Sequence, residues 1–327
     1  MAEIATPTAR VITTEPRKSD KIFRAILTVI GMSTLVLLAL IGLFLAFSGV
    51  KILASQGFSF ITQYDWNVIV NEDGSRVVDI GVGAMLVGTL VISAIALVVG
   101  VPLSIAMALF LTFYAPQKIR GVLTSIVDLM AAFPSVLFGL WGYFVLMPMA
   151  EYWAKLLHKY LGFIPIFALP ENQPAYFQKS PFVAGLVLAI MIIPIVTSVS
   201  REIFSQTPLD RIQAAYALGA TRWRVIKTVV FPFGSSGLVG GAMLGLGRAF
   251  GETVAVYTVL NIVFKANFHI LFGMGGNVAS MIIGKWGEAS GDEQTGLLAA
   301  GFILFILTLL VNLLANVIVR KTVKSGR

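Results

Sequence analysis

The sequence predicts an all-α integral membrane protein with six transmembrane helices. Of its 327 residues, 57% are hydrophobic and only 12% are charged, a composition far too apolar for an ordinary soluble domain. A spanning helix needs about 20 apolar residues and satisfies its own backbone hydrogen bonds in lipid, so each long apolar run is predicted to form one span. The predicted spans are residues 22–48, 80–112, 122–148, 181–200, 234–263 and 294–319.

The first two spans and the loop between them carry local features. The first span follows a basic segment, but its apolar run is too long for a signal peptide, so we expect it to stay uncleaved. The second is long and contains Gly100 and Pro102, which predicts a kink or a break there. Between the two, residues 68–80 hold two β-branched runs on either side of Asp73 and Gly74, a pattern that predicts a hairpin.

The distribution of basic residues predicts the orientation of the chain. Of 24 lysines and arginines, 16 fall in the termini and the loops on the same side of the membrane, seven in the opposite loops and one inside a span. The positive-inside rule therefore places both termini in the cytoplasm. The sequence divides into a polar N-terminal arm (1–21), expected to be disordered, a six-helix transmembrane domain (22–319) and a basic cytoplasmic tail (320–327).

A polar and basic insert separates the fourth and fifth spans, and its centre has the sequence QAAYALGATRWRVIKTVVFP. Thr207 and Thr221 are predicted to cap two short helices, the first of which starts at Pro208. Gly219 is predicted to end the first helix and Pro232 the second, because proline cannot continue a helix. The sequence therefore predicts a helix, a tight turn and a helix, with little side-chain bulk at the bend, so that another protein can approach closely.

The insert resembles the EAA loop of the membrane subunits of bacterial ABC importers, written Glu-Ala-Ala, three residues, Gly, nine residues, Ile-x-Leu-Pro. The matching positions in this chain are Gln213, Ala214, Ala215, Gly219, Val229, Phe231 and Pro232. Gln213 replaces the glutamate of the pattern and so removes a carboxylate that could pair with a partner. The resemblance implies a type I ABC importer permease fold, with a cytoplasmic coupling loop at residues 201–233 that docks on an ATPase.

Apart from Arg24, at the cytoplasmic start of the first span, three charged residues fall inside the predicted spans: Asp128, Arg248 and Glu252. A charge at the bilayer centre costs roughly 2.5–3.5 kcal/mol on insertion scales, so each is expected to face a polar cavity or a partner. Arg248 and Glu252 are four residues apart, share one helical face and can pair. Seven glycines between positions 234 and 251 of the same span permit close helix packing.

Two interpretations of Arg248 and Glu252 are open. In one, the two charges neutralise each other and only fix the helix. In the other, they line a substrate pathway, because a guanidinium binds two oxygens of a tetrahedral anion and a carboxylate accepts a hydrogen bond only from an anion that carries a proton. Near neutral pH phosphate carries such a proton and sulfate does not, so this interpretation predicts passage of phosphate over sulfate. Asp128 is expected either to contact this pair or to bond backbone groups near Pro134.

Three further runs narrow the resemblance. They are FPSVLFGLWG at 133–142, GRAFGET at 247–253, and Gly88-Thr89-Leu90 followed by Pro102. These runs are similar to the permeases of the phosphate-specific transport (Pst) system, and the tryptophan of the first run and the long N-terminal arm favour its C subunit over its A subunit. The similarity covers residues 64–262.

The Pst resemblance implies a permease that works by alternating access in the bacterial plasma (inner) membrane. The implied partners are an A-type permease, two cytoplasmic ATPase subunits and an external phosphate-binding protein. The chain has no GxxxxGK[ST] stretch and no cysteine, so we expect no catalytic residue, metal or cofactor on it, with ATP and Mg on the partner ATPase. The alternatives are an ABC permease for sulfate, molybdate or an amino acid, and an ion-coupled secondary transporter or channel.

Overall fold

The computed structural model describes residues 18–70, 76–171, 173–289 and 291–325, which are mostly helical. In chain order the helices are α1 (Lys18–Gln56), α2 (Ser59–Thr62), α3 (Gly83–Leu109), α4 (Gln117–Ala131), α5 (Ser135–Trp141), α6 (Met147–Leu161), α7 (Pro181–Ser205), α8 (Leu209–Ala217), α9 (Arg222–Val225), α10 (Phe231–Gly251), α11 (Val254–Val259), α12 (Val278–Lys285) and α13 (Gly291–Ser325). The strands β1 (Trp66–Val70) and β2 (Arg76–Ile80) lie between α2 and α3. Three π-helical turns extend or join helices at Phe110–Tyr114, Gly142–Leu146 and Ile226–Val230.

The helices confirm the prediction of six membrane spans. Within the described ranges, five stretches are long and apolar enough to cross a membrane: α1, Gly83–Tyr114, α7, Arg222–Gly251 and Gly291–Val317. The sixth is a bent pair, in which α4 and the helical stretch Ser135–Leu161 meet at 96°. The bend falls at Pro134, because proline has no N–H to continue α4 and forces the residue before it out of the helical conformation.

α7 lies at the centre of the bundle and α1 at its edge. In the most apolar stretch of each helix, 61% of the α7 residues are buried within the chain but only 6% of the α1 residues. The main hydrophobic core forms around α7, where Val187 and Ile192 pack with Ile92 of α3 and Val256 of α11. The exposed apolar side chains of α1 suit a helix that is surrounded by lipid.

α3 is continuous through Gly100 and Pro102, so the structure shows no break at this point. Ser104 Oγ donates a hydrogen bond to the Gly100 carbonyl at 2.6 Å, and Thr197 Oγ1 of α7 donates to the Ser104 carbonyl at 3.3 Å. Gly100 also allows close packing, since a Cβ there would lie 2.9 Å from Cδ1 of Ile192. A packed neighbour and hydroxyl groups thus stabilise the helix around its proline.

The terminal helices are longer than the predicted spans. α1 begins at Lys18, inside the arm assigned to residues 1–21, and residues 1–17 lie outside the described part of the chain. α13 runs to Ser325 and takes most of the basic tail into a helix. Hydropathy marks only the lipid-facing part of a helix, whereas its backbone hydrogen bonds continue into the polar residues beside it.

β1 and β2 pair in antiparallel fashion, which confirms the predicted hairpin, although its turn, residues 71–75, is outside the described residues. Trp66 holds the hairpin to the helices. Its Nε1 donates a hydrogen bond to Glu293 Oε1 at 2.8 Å, and its ring stacks on that of Phe264, with the ring centroids 5.7 Å apart. Lys285 Nζ lies 3.3 Å from the same Glu293 oxygen. These contacts tie the hairpin, α12 and α13 together at the end of the bundle opposite the insert.

Candidate functional site

The fifth span is discontinuous at Glu252, so the prediction of one helix over residues 234–263 is wrong. α10 ends at Gly251, and Glu252 takes an extended conformation (φ −71°, ψ 123°) before α11 begins at Val254. Glu252 Oε1 accepts a hydrogen bond from Ala255 N at 3.0 Å. The carboxylate therefore stabilises the free N–H groups at the start of α11, where a negative charge is favourable.

Arg248 and Glu252 do not form the expected ion pair. The expectation assumed a continuous helix, on which residues four apart share a face, but the helix ends before Glu252. None of the ion pairs found within the described ranges joins the two side chains. Glu252 is only 6% exposed, and Nε of Arg248 is buried with no hydrogen-bond partner in the part of the chain that the structure describes. Mutual neutralisation is therefore not what holds these two residues in place.

The glycines of α10 form a packed face and an open face. A Cβ at Gly237 would lie 2.6 Å from Ile203, and one at Gly245 would lie 2.9 Å from Val196, so these glycines let α10 pack closely on α7 as predicted. Other α10 glycines would have no described atom within 4 Å of an added Cβ: Gly240, Gly247 and Gly251. The open face reaches the end of α10 at Gly251, whereas Arg248 follows the packed Gly245 by three residues and is half-buried.

Asn277 connects the break in the fifth span to α12, and the residue after it contacts α3. The sequence alone does not identify Asn277 as part of the site. Its Nδ2 donates to the Glu252 carbonyl at 2.7 Å, while its Oδ1 accepts from Ser280 N at 2.8 Å and caps α12. The next residue, Val278, donates its N–H to Thr89 Oγ1 of α3 at 3.1 Å. The spacing of Asn277 and Ser280 after two glycines is a helix-start pattern, but it indicates only the cap and not the bond to Glu252.

Asp128 binds neither of its two expected partners. Its Oδ1 accepts a hydrogen bond from Ser198 Oγ at 2.7 Å, and its Oδ2 lies 3.6 Å from Nη2 of Arg201. Both partners belong to α7, and neither is part of the Arg248 and Glu252 site or of the backbone at Pro134. Helical periodicity within one span cannot show which helix packs beside it. The contacts of Asp128 with Ser198 and Arg201 could therefore not be predicted from the sequence.

The insert forms the predicted helix, turn and helix as α8, Gly219 and α9. Gly219 has a φ of +79° and ends α8, which is the left-handed conformation that favours glycine. Thr221 Oγ1 accepts a hydrogen bond from Arg224 N at 3.3 Å, which confirms this cap. The Thr207 cap is wrong: α8 begins at Leu209 without a side-chain cap, and Thr207 Oγ1 is buried with no partner among the described residues.

Pro232 does not end the second helix of the insert, contrary to the prediction. A π-helical turn follows α9, and α10 begins at Phe231 with Pro232 in its first turn. Proline is tolerated there because the π turn already interrupts the regular hydrogen-bond ladder and the first N–H groups of a helix need no partner within it. α9, the π turn and α10 thus form one helical path, without a loop between them.

The surface of the insert is unusually apolar for a polar segment. The side chains of Leu218 and Trp223 are 89% and 60% exposed on either side of Gly219, and a Cβ at Gly219 would meet no described atom within 4 Å. Of the EAA-like positions, Gln213, Ala214, Gly219 and Pro232 are exposed and Ala215 is half-buried. Apolar residues exposed together on a membrane protein's polar insert indicate a surface for another protein.

Known structures share this architecture. A bacterial alginate ABC transporter, solved with its alginate-bound periplasmic protein, superposes with a TM-score of 0.60 over 94% of this chain and 96% of that chain, at 17% identity. The inward-facing MetNI methionine ABC transporter gives 0.50 over 74% and 94%, at 18% identity. At these identities the likeness concerns the fold alone, and the fold is that of an ABC importer permease.

Comparison of the sequence with known families and proteins shows which ABC importer permeases this chain belongs to. Residues 100–324 match the family model of the binding-protein-dependent transport system inner membrane component. The phosphate transport system permease protein PstC 2 of Mycobacterium tuberculosis is 41% identical over 303 residues, with 92% of each chain covered, and PstC of Pasteurella multocida is 36% identical with 94% of each covered. The chain therefore belongs to the binding-protein-dependent inner membrane permeases and, among them, to the PstC family.

Proposed function

We propose that this chain is the membrane permease subunit of an ATP-driven importer of inorganic phosphate and forms half of the translocation pathway by alternating access. The observation that carries the proposal is the guanidinium of Arg248, buried at Nε without a partner where the fifth span breaks. A half-buried arginine in a membrane span, with no ion-pair partner among the described residues, is costly unless a ligand or a second subunit satisfies it. The PstC names of the relatives support phosphate as that ligand.

The chemistry of the break suits a protonated oxyanion. The guanidinium of Arg248 offers donors in fork geometry to two phosphate oxygens. Glu252 uses Oε1 for the N–H of Ala255, and its Oε2 is left to accept a hydrogen bond from a protonated anion. On this proposal Glu252 distinguishes phosphate from sulfate, and Asp128 acts away from the anion, through α7.

The coupling loop (201–233) is proposed to dock on an ATPase subunit. Exposed Leu218 and Trp223 on either side of Gly219 supply an apolar surface for a cleft in such a partner, with Gln213, Ala214 and Ala215 on the helix before it. Because α9 of the insert runs without interruption into α10, movement of the ATPases would reach Arg248 through a single helical path. ATP and Mg then belong to the ATPases, and this chain carries no cofactor.

The remaining partners follow from the same scheme. The open glycine face of α10, at Gly240, Gly247 and Gly251, is suited to close approach of an A-type permease or to the pathway between the two subunits. An external binding protein would deliver phosphate at the end that carries the hairpin. Both termini and the insert then lie in the cytoplasm, as the basic residues indicate.

The absence of natural cysteines makes the orientation easy to test. A single cysteine at Leu218, which is 89% exposed, should react with a membrane-impermeant maleimide only after cells are opened. A single cysteine at Gly287, where nothing lies within 4 Å of an added Cβ, should react in intact cells. The reverse pattern would place the insert outside and exclude an ATPase contact.

The function is tested by radiolabelled phosphate and sulfate uptake in cells without other phosphate importers. The wild type should restore phosphate uptake, Arg248→Gln should not, and Arg24→Gln, on the exposed first helix, serves as the control. Arg248→Lys, which keeps the charge but not the forked set of guanidinium donors, should transport poorly.

Sulfate uptake would instead indicate a permease for another oxyanion, and uptake that survives ATP depletion but not loss of the proton gradient would indicate a secondary transporter. For the role of Glu252, an unchanged phosphate-to-sulfate ratio in Glu252→Gln would count against it.

A further inference from the structure

The break in the fifth span leaves backbone groups without helical partners. α10 stops at Gly251, so the carbonyl of Glu252 cannot take part in a regular helical bond. Inside a bilayer such a group has no water to bind, and leaving it unsatisfied is energetically costly. The Nδ2 of Asn277 satisfies it at 2.7 Å from a position 25 residues further along the chain.

Asn277 is itself rigidly held. It is 1% exposed, and it forms a reciprocal capping box with Ser280 at the start of α12. On one side of it, Val278 N donates to Thr89 Oγ1 of α3. On the other side, Gly276 lies so close to α3 that a Cβ at Gly88 would come within 1.9 Å of its carbonyl oxygen. The side chain of Asn277 therefore reaches the break from a fixed frame formed by α3 and α12.

The two ends of the Asn277 amide have separate tasks. Oδ1 accepts from Ser280 N and so caps α12, a task that serine or aspartate can perform equally well. Nδ2 is not needed for the cap and is directed at Glu252. The cap alone therefore does not require an asparagine here, whereas the bond to the Glu252 carbonyl requires a side chain that is also a donor.

We propose that Asn277 is a positioning residue for anion passage: through the Glu252 carbonyl it fixes where α10 ends, and thereby where Arg248 and the Glu252 carboxylate are held. This inference rests on the proposed function. It assigns a role in transport to the glycine-rich segment before α12, which has no charged group of its own between Gly273 and Lys285. Asn277 does not contact the anion in this scheme and acts only through its neighbours.

The test compares two variants that separate the two ends of the amide. Asn277→Ser keeps a capping oxygen but has no group that reaches the Glu252 carbonyl. Ser280→Ala removes the other half of the capping box and leaves the Nδ2 bond in place. Both are measured as phosphate uptake by the complete transporter, with the rate divided by the amount of this chain in the membrane, and as melting temperature of the purified complex in detergent.

We expect the maximal rate of Asn277→Ser to fall about tenfold, as for the loss of one orienting hydrogen bond, with a KM close to that of Ser280→Ala and a melting temperature that is lower, because the Glu252 carbonyl loses its partner, but still well above the temperature of the uptake assay. Ser280→Ala should keep a rate within about twofold of the wild type. Equal rates in the two variants, or a rate loss explained by a lower melting temperature, would reduce Asn277 to a structural cap. If Asn277→Ser does not accumulate, Asn277→Thr makes the same comparison, because its hydroxyl also keeps the capping oxygen and its side chain is too short to reach the Glu252 carbonyl.

Phosphate uptake by Arg248→Gln shows whether a negative result counts against the role of Asn277 alone or also against the proposed function. If Arg248→Gln is inactive and Asn277→Ser transports normally, only the positioning role fails. If Arg248→Gln transports phosphate like the wild type, the pathway assignment fails and the role of Asn277 fails with it.

Discussion

Asp128 on α4 lies with its Oδ2 3.6 Å from Nη2 of Arg201 on α7. The contact joins the bent third span to the helix that leads directly into the insert, and Ser198 adds a hydrogen bond of 2.7 Å to the other carboxylate oxygen. Any movement transmitted from the insert along α7 therefore also acts on α4.

Asp128→Asn is expected to reduce uptake several-fold without preventing membrane insertion. The amide oxygen can still accept from Ser198, but the charge opposite Arg201 is lost. Because both side chains are partly exposed, the pair contributes only about 0–1 kcal/mol to stability, so the effect should appear in transport and not in melting temperature. Uptake rates of Asp128→Asn, Arg201→Gln and the double variant form a mutant cycle. Additive losses in that cycle would show that the contact has no role of its own.

Substitution of Gly219 with a bulky residue should abolish coupled uptake. A side chain in the left-handed conformation at φ +79° costs about 1–2 kcal/mol, so Gly219→Val should distort the turn between α8 and α9. Asn tolerates this conformation, so Gly219→Asn should retain more uptake than Gly219→Val. Gly287→Ala, at an open position with no positive φ, is the control. Uptake assays on cells with equal amounts of each chain rank the variants, and a valine variant as active as the control would contradict a coupling role.

The two faces of α10 should respond differently to the same substitution. Gly237→Leu places bulk against Ile203, which lies 2.6 Å from an added Cβ, and overpacking of this kind costs about 1–3 kcal/mol. Gly240→Leu meets no described atom within 4 Å. We expect the isolated chain to lose thermal stability in detergent only with Gly237→Leu. Copurification of the second permease should instead be lost with Gly240→Leu, and normal assembly of that variant would place the subunit contact elsewhere.

Trp66→Phe tests how the hairpin is held. The substitution keeps a ring to stack on Phe264 but removes the Nε1 donor to Glu293, and a hydrogen bond to a charged group contributes about 1.5–3 kcal/mol. The melting temperature of the purified chain should therefore fall. Trp286→Phe, at a 44% exposed tryptophan, is the matched control and should melt like the wild type. Equal melting of both variants would show that stacking alone holds the hairpin.

Hydropathy and helix-end residues were sufficient to predict much of this fold. The six apolar runs, the turn at Gly219 and the hairpin each depend on residues close together in the sequence, where local sterics decide the conformation. The predicted helix ends were less accurate, because polar residues beside a span can continue its hydrogen bonds. Pro232 shows the same limit, since a preceding π turn makes a proline compatible with an uninterrupted helical path.

The geometry of the candidate site could not be predicted in the same way. The sequence placed Arg248 and Glu252 in one span, but their expected pairing assumed a helix that in fact ends between them. Asn277 donates a hydrogen bond to the Glu252 carbonyl at that end, and the partner of Asp128 is on α7; both contacts join positions far apart in the chain. Periodicity within a span contains no information about such contacts, so only a three-dimensional structure could reveal them.

The length of α1 has a mechanical consequence. Its 39 residues extend about 58 Å at 1.5 Å per residue, whereas the hydrocarbon core of a bilayer is about 30 Å thick. α1 must therefore lean steeply or project from the lipid as a rod. At the end of α1, Nε2 of Gln56 donates a hydrogen bond to the Val78 carbonyl of the hairpin at 2.8 Å. A thicker or thinner bilayer that changes the tilt of α1 would therefore also shift the hairpin. This end of the permease is thus sensitive to the thickness of the membrane around it.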